Sequence, residues 1–117
     1  MKISEIPQHD DFIFALCTFL DDFKRSNVKY SMICDEPRAE GSTKVNLCIL
    51  AAVAHKLSND YCLEMPVWTS KDDYIMPYPV YSHDTKNKEY QDFLIETSPD
   101  EFASRNIFFG ANAIERA

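Results

Sequence analysis

Glycine is nearly missing from this 117-residue chain, which has only Gly41 and Gly110. Sandwiches and barrels use glycine freely at their turns, so the shortage disfavours an all-β fold and favours helices. No glycine-rich loop is present to cradle a phosphate in the P-loop or dinucleotide manner. Basic residues are also short: twelve Lys and Arg stand against nineteen Asp and Glu, a net charge of −7. Neutralised phosphates supply most nucleic-acid affinity, so scattered bases on an acidic chain argue against direct nucleic-acid binding. The four cysteines, Cys17, Cys34, Cys48 and Cys62, lack the close spacing of a zinc knuckle or a redox motif. No apolar run reaches the length of a bilayer span, and the first residues lack the charged-then-apolar pattern of a signal segment. The expectation is a cytoplasmic protein with reduced thiols, no membrane association and no cofactor or metal.

What the chain has is apolar and aromatic: 45% hydrophobic and 13% aromatic residues, enough for a real core. The length fits one domain, residues 1 to 117. In DDFIFALCTFLDDFKRS, residues Phe12, Leu16, Phe19, Leu20 and Phe23 line one helical face. Asp10 and Asp11 sit where a cap and the dipole favour acids, and Lys24 and Arg25 where they favour bases. STKVNLCILAAVAHKLSND predicts a second helix capped by Ser42 or Thr43. It is apolar on most sides from Val45 to Ala54, which suits the centre of a bundle. Between the two, VKYSMI has β character, and Pro37 and Gly41 break the chain; a connection with at most one short extended piece is expected.

Pro66, Pro77 and Pro79 then exclude a long helix. Their segment is expected on the bundle surface, with a short helix near SKDDYIM capped by Ser70. Helical spacing returns through Tyr90, Phe93 and Leu94. In SPDEF, Ser98 reads as a cap, Pro99 as the first helical residue and Glu101 as the partner in a capping box. The fold class that results is mainly α: a small helical bundle with a central apolar helix and a proline- and aromatic-rich irregular segment.

Catalytic chemistry has little to work with. His9, His55 and His83 are the candidates for proton transfer at neutral pH. Cys48 and His55 lie about two turns apart on one helix, roughly 10 Å along its axis and too far for a nucleophile–base pair. Cys48, His55, Asp60 and Cys62 offer no recognisable metal-ligand spacing. Two stretches stand out instead. PVWTSKDDYIMPYPVY carries Trp68, Tyr74 and Tyr78, either as a seal on the bundle or as an interaction patch. RNIFFGANAIERA carries Arg105, Phe108, Phe109 and Arg116, either docked as a plug with the arginines at the rim or left for a partner. Docking would place Arg105 beside an acid such as Glu101.

In order, CILAAVAHKL, EMPVWTSKDDYIMPYPVY, ETSPDEF and SRNIFFGANAIERA resemble a small helical domain of bacteria. That domain occurs alone, or fused behind a helix-turn-helix in antitoxin-like proteins encoded beside nucleotidyltransferase toxins. The resemblance covers about residues 44 to 117 and rests on Pro66, Trp68, Pro79, Pro99, Phe102, Arg105, Asn106, Ile107, Phe108, Ile114 and Arg116. It implies an accessory or antitoxin-like role. The first forty residues depart from the fused form, being acidic and without a helix-turn-helix, which counts against a repressor role.

Three functional readings follow. The first is a non-enzymatic interaction domain for a protein partner, with an acidic surface that suits a basic one. The second is a small-ligand or enzymatic site between the central helix and the Trp68 segment, lined by His55, Trp68, Tyr74 and Tyr78. The third is self-association into a homo-oligomer through the C-terminal segment.

Overall fold

A computed structural model describes residues 1–38 and 42–111, without the side chain of His83. The expectation placed on Gly41 falls in residues 39–41, and those placed on Ile114, Arg116 and the closing NAIERA turn fall after Ala111; all lie outside the described residues. The fold is mainly α. Five helices, α1 (Phe12–Arg25), α2 (Lys29–Ile33), α3 (Lys44–Asp60), α4 (Lys88–Thr97) and α5 (Asp100–Ala103), are joined by short 3-10 turns and by one pair of two-residue strands.

α3 is the centre. Thr43 Oγ1 caps it by accepting from the Asn46 N–H, and every residue from Cys48 to Ala54 is buried. α5 and the 3-10 turns at Val67–Ser70 and Asp72–Tyr74 pack against it, and its small residues Ala51, Ala52 and Ala54 are fully buried. Larger side chains such as Ile49, Leu50, Val53 and Leu57 each gain about 1.5–3 kcal/mol from burial. α1 starts on Asp11, whose Oδ1 accepts from the Phe14 N–H. It buries Ala15, Phe19, Leu20 and Phe23. One cluster of buried apolar side chains runs from Ile3 to Ile107.

Three local expectations are corrected. VKYSMI is helical: Lys29–Ile33 form α2, because Met32 and Ile33 are buried and packing outweighs the β preference of the residues. Ser70 caps nothing, since the second 3-10 turn starts after Lys71. Ser98 does not cap α5 either. It ends α4, where its hydroxyl donates to the Leu94 carbonyl at 2.6 Å and accepts from the Gly110 N–H at 2.9 Å. The Pro99 carbonyl instead receives the Phe102 and Ala103 N–H groups. Gly110 has φ +89°, and a Cβ there would meet Leu94 Cδ2 at 3.3 Å, so this tie between α4 and the tail requires glycine. The helix expected through Tyr90, Phe93 and Leu94 is α4; Tyr90 and Phe93 stack on each other on its exposed side, and Leu94 is its buried residue.

The tail enters as a strand. β1 (Val80–Tyr81) and β2 (Ile107–Phe108) pair in parallel, Val80 opposite Ile107 and Tyr81 opposite Phe108. Asn106 sets the geometry with φ +62°, a conformation Asn tolerates better than most residues. Its side-chain amide donates to the Met76 carbonyl at 2.7 Å. Ile107 is the fully buried plug, while Phe108 and Phe109 are half-buried. Phe108 stacks on Tyr81 and Phe109 leans on Phe102. The plug assigned to a phenylalanine therefore belongs to the isoleucine, whose branched side chain points inward from the strand.

Candidate functional site

Trp68 and Tyr74 form the seal, not the patch. Trp68 is 5% exposed, its indole N–H donates to the Ile33 carbonyl at 3.0 Å, and Tyr74 meets its ring edge-on. The Tyr74 hydroxyl donates a very short hydrogen bond to Glu36, and Lys71 Nζ closes on the same carboxylate at 2.7 Å. Those hydrogen bonds, from Lys71 first and then from Tyr74, hold Glu36 below the usual carboxylate range. Burial, then the hydrogen bond to Glu36, pushes the Tyr74 hydroxyl well above its ordinary value. Both rings thus have a satisfied polar tip inside the protein, which is the arrangement that lets Trp and Tyr be buried. Tyr78 is 60% exposed and apart from them in this respect.

Arg105 is not at a rim. Its residue is buried, and the guanidinium reaches three segments at once. Nη1 donates to the Glu101 carbonyl at 2.7 Å and to His55 Nδ1 at 3.2 Å; Nη2 donates to the Thr69 carbonyl at 2.7 Å. The expected pairing with the Glu101 carboxylate is replaced by a bond to its backbone oxygen, because α5 ends there and leaves carbonyls without helical partners. Arginine can only donate, so His55 Nδ1 accepts and the imidazole carries its proton on Nε2. Burial first, and the Arg105 charge second, hold His55 below its ordinary value and so keep it neutral. Burial raises the Cys48 thiol, which makes it a poor nucleophile.

Beside this cross-brace lies a surface cleft of about 220 Å³, lined by His55, Met65, Thr69, Ser70, Lys71, Ile75, Ser104 and Arg105. His55 and Arg105 were named from the sequence; Ser70, Lys71 and Ser104 were not. Ser70 and Lys71 are chain neighbours, but no signal in the sequence joins them to Ser104 or His55, which they meet only once α3, the turn at Val67–Ser70 and the end of α5 have packed together. Trp68, Tyr74 and Tyr78 are not among the lining residues.

A second feature lies on α1. Ile13 and Phe14 are 65% and 70% exposed, on the side turned away from the core. With Cys17 and Thr18 they line a groove of about 450 Å³, and the carboxylate residues Asp11 and Asp21 line it too. The sequence carried a signal for this face: Phe12 to Cys17 are apolar without a break, more than one helical face can bury. No helix of the described residues is long and apolar enough to cross a membrane. Comparison with protein-family models, with curated proteins and with solved structures gave no match.

Proposed function

We propose that this chain is a non-enzymatic protein-interaction domain that docks a basic partner protein through the outer face of α1. The observation that carries the reading is the pair Ile13 and Phe14, both more than half exposed, in a groove with Asp11 and Asp21. A central apolar anchor with a charged border is the usual anatomy of a protein interface. The net charge of −7 adds long-range attraction for a basic partner. The interior groups that could do chemistry support the same reading, since each is engaged in holding the fold: His55 and Arg105 in the cross-brace, Tyr74 with Glu36, Cys48 in the core. In its antitoxin-like form, the reading makes the partner a toxin encoded beside this chain.

A photo-crosslinking residue at position 14 tests the reading in the source cell, with the same residue at exposed Tyr78 as the control. The expected result is one discrete adduct from position 14, weakened by added salt and missing from position 78. Equal labelling from both positions, or none from position 14, would refute it.

A further inference from the structure

Arg105 is satisfied in hydrogen bonds but makes no ion pair among the described residues, and the Glu101 charge favours it only from beyond contact. The residue is 6% exposed, yet its three partners are two carbonyls and a neutral imidazole. Among the described residues no carboxylate lies within ion-pairing distance of it. Buried charges are ordinarily matched by an opposite charge. Burial already pulls the Arg105 guanidinium down from its ordinary value, but arginine keeps its proton in proteins, so the positive charge stays.

The open side of that charge is the cleft. Among the described residues no Asp or Glu lines it, although the chain as a whole has nineteen of them. Its polar lining residues, His55, Thr69, Ser70, Lys71, Ser104 and Arg105, all carry side-chain donors, although the Ser104 hydroxyl donates to the Glu101 carbonyl and Lys71 to Glu36. Lys71 is held by Glu36, which leaves Arg105 as the cation of the cleft with no carboxylate in contact among the described residues. A guanidinium has five N–H bonds, and three of those on Arg105 are committed to the protein.

We propose that this cleft binds the phosphate group of a small anionic ligand, which supplies the counter-charge that Arg105 lacks. A phosphate offers acceptor oxygens in more directions than a carboxylate, and donor-bearing residues line the cleft from α3, from the 69–71 turn and from the end of α5. The volume of about 220 Å³ holds a phosphate with a small organic remainder against Met65. This site is separate from the α1 face, so either can fail without the other.

The test uses the full chain at neutral pH, in sodium phosphate, acetate or chloride of matched ionic strength. Phosphate is expected to raise the melting temperature saturably, by roughly 5 °C at ten times its dissociation constant. It is also expected to move the ring signals of His55 while leaving those of His9 in place. Ser70→Asp puts a carboxylate at the cleft and is expected to abolish the phosphate response; Ser104→Asp is the second variant, and either one that folds decides the point. An unmoved His55 signal in phosphate would overturn the proposal. So would an equal response to acetate, or a full phosphate response in a folded Asp variant.

Discussion

Trp68 and Phe14 are both large aromatic side chains near the start of a helical segment, and they end in opposite places: one 5% exposed, the other 70%. Trp68 sits in a proline-broken stretch that cannot bury itself, so the stretch is pinned by its rings and their polar tips to Ile33 and Glu36. Phe14 sits in a regular helix whose inner face is already filled by Ala15, Phe19 and Phe23. It therefore has nowhere to go but outward. Aromatic density in the sequence left the first region open as a seal or an interaction patch; there Trp68 and Tyr74 are buried beside exposed Val67 and Tyr78, while on α1 Ile13 and Phe14 are both exposed. What separates them is the supply of internal partners, not the number of rings.

The contrast can be broken hardest at Trp68. Trp68→Ala removes a buried indole and is expected to cost about 3–5 kcal/mol, measured by chemical denaturation. That is a large part of the stability of a domain this size, and a molten product is the expected extreme. Arg105→Ala follows, at about 2–4 kcal/mol, because it strands the Glu101 and Thr69 carbonyls beneath the surface. Arg105→Lys should recover little of this, since one ammonium cannot serve three segments. Tyr74→Phe keeps the ring against Trp68 and loses only the bond to Glu36, for about 1–2 kcal/mol.

A pH profile sharpens the interior side of the comparison. His55 is held below its ordinary value of 6.5 in the folded protein, by burial and by Arg105, with Glu101 pulling the other way. Below pH 6.5 the unfolded chain takes up the proton first, so stability falls as pH drops from there towards the folded value. Above 6.5 this contribution is fully present. His55→Gln, whose amide oxygen can still accept from Arg105, should flatten that part of the profile. Glu36 adds a separate loss further down, as pH falls below 4.5 and through its lowered folded value.

Much of the helical frame was legible because local and global signals agree there. α1 has the 3.6-residue period, an Asp cap and the charges that suit its dipole, and α3 has a Thr cap and an apolar run on most sides. α2 was not legible, because five residues with β character become helical only when Met32 and Ile33 find the core. The β1–β2 pair was hidden for a related reason: two-residue strands have no readable period, and their pairing depends on Asn106 turning the chain. The cleft was half visible. His55 and Arg105 stood out as residue types, but their contact at 3.2 Å is a product of tertiary packing that no spacing announces.

The smallest stability effect belongs to the outer face of α1, and it carries the central claim. In the double variant Ile13→Ser, Phe14→Ser, unfolding free energy should stay within about 0.5–1 kcal/mol of the parent, since neither side chain is buried. Binding of the partner captured through position 14, measured by titration calorimetry on the same preparation, should fall at least tenfold. Unchanged affinity in a fully folded double variant would contradict the account.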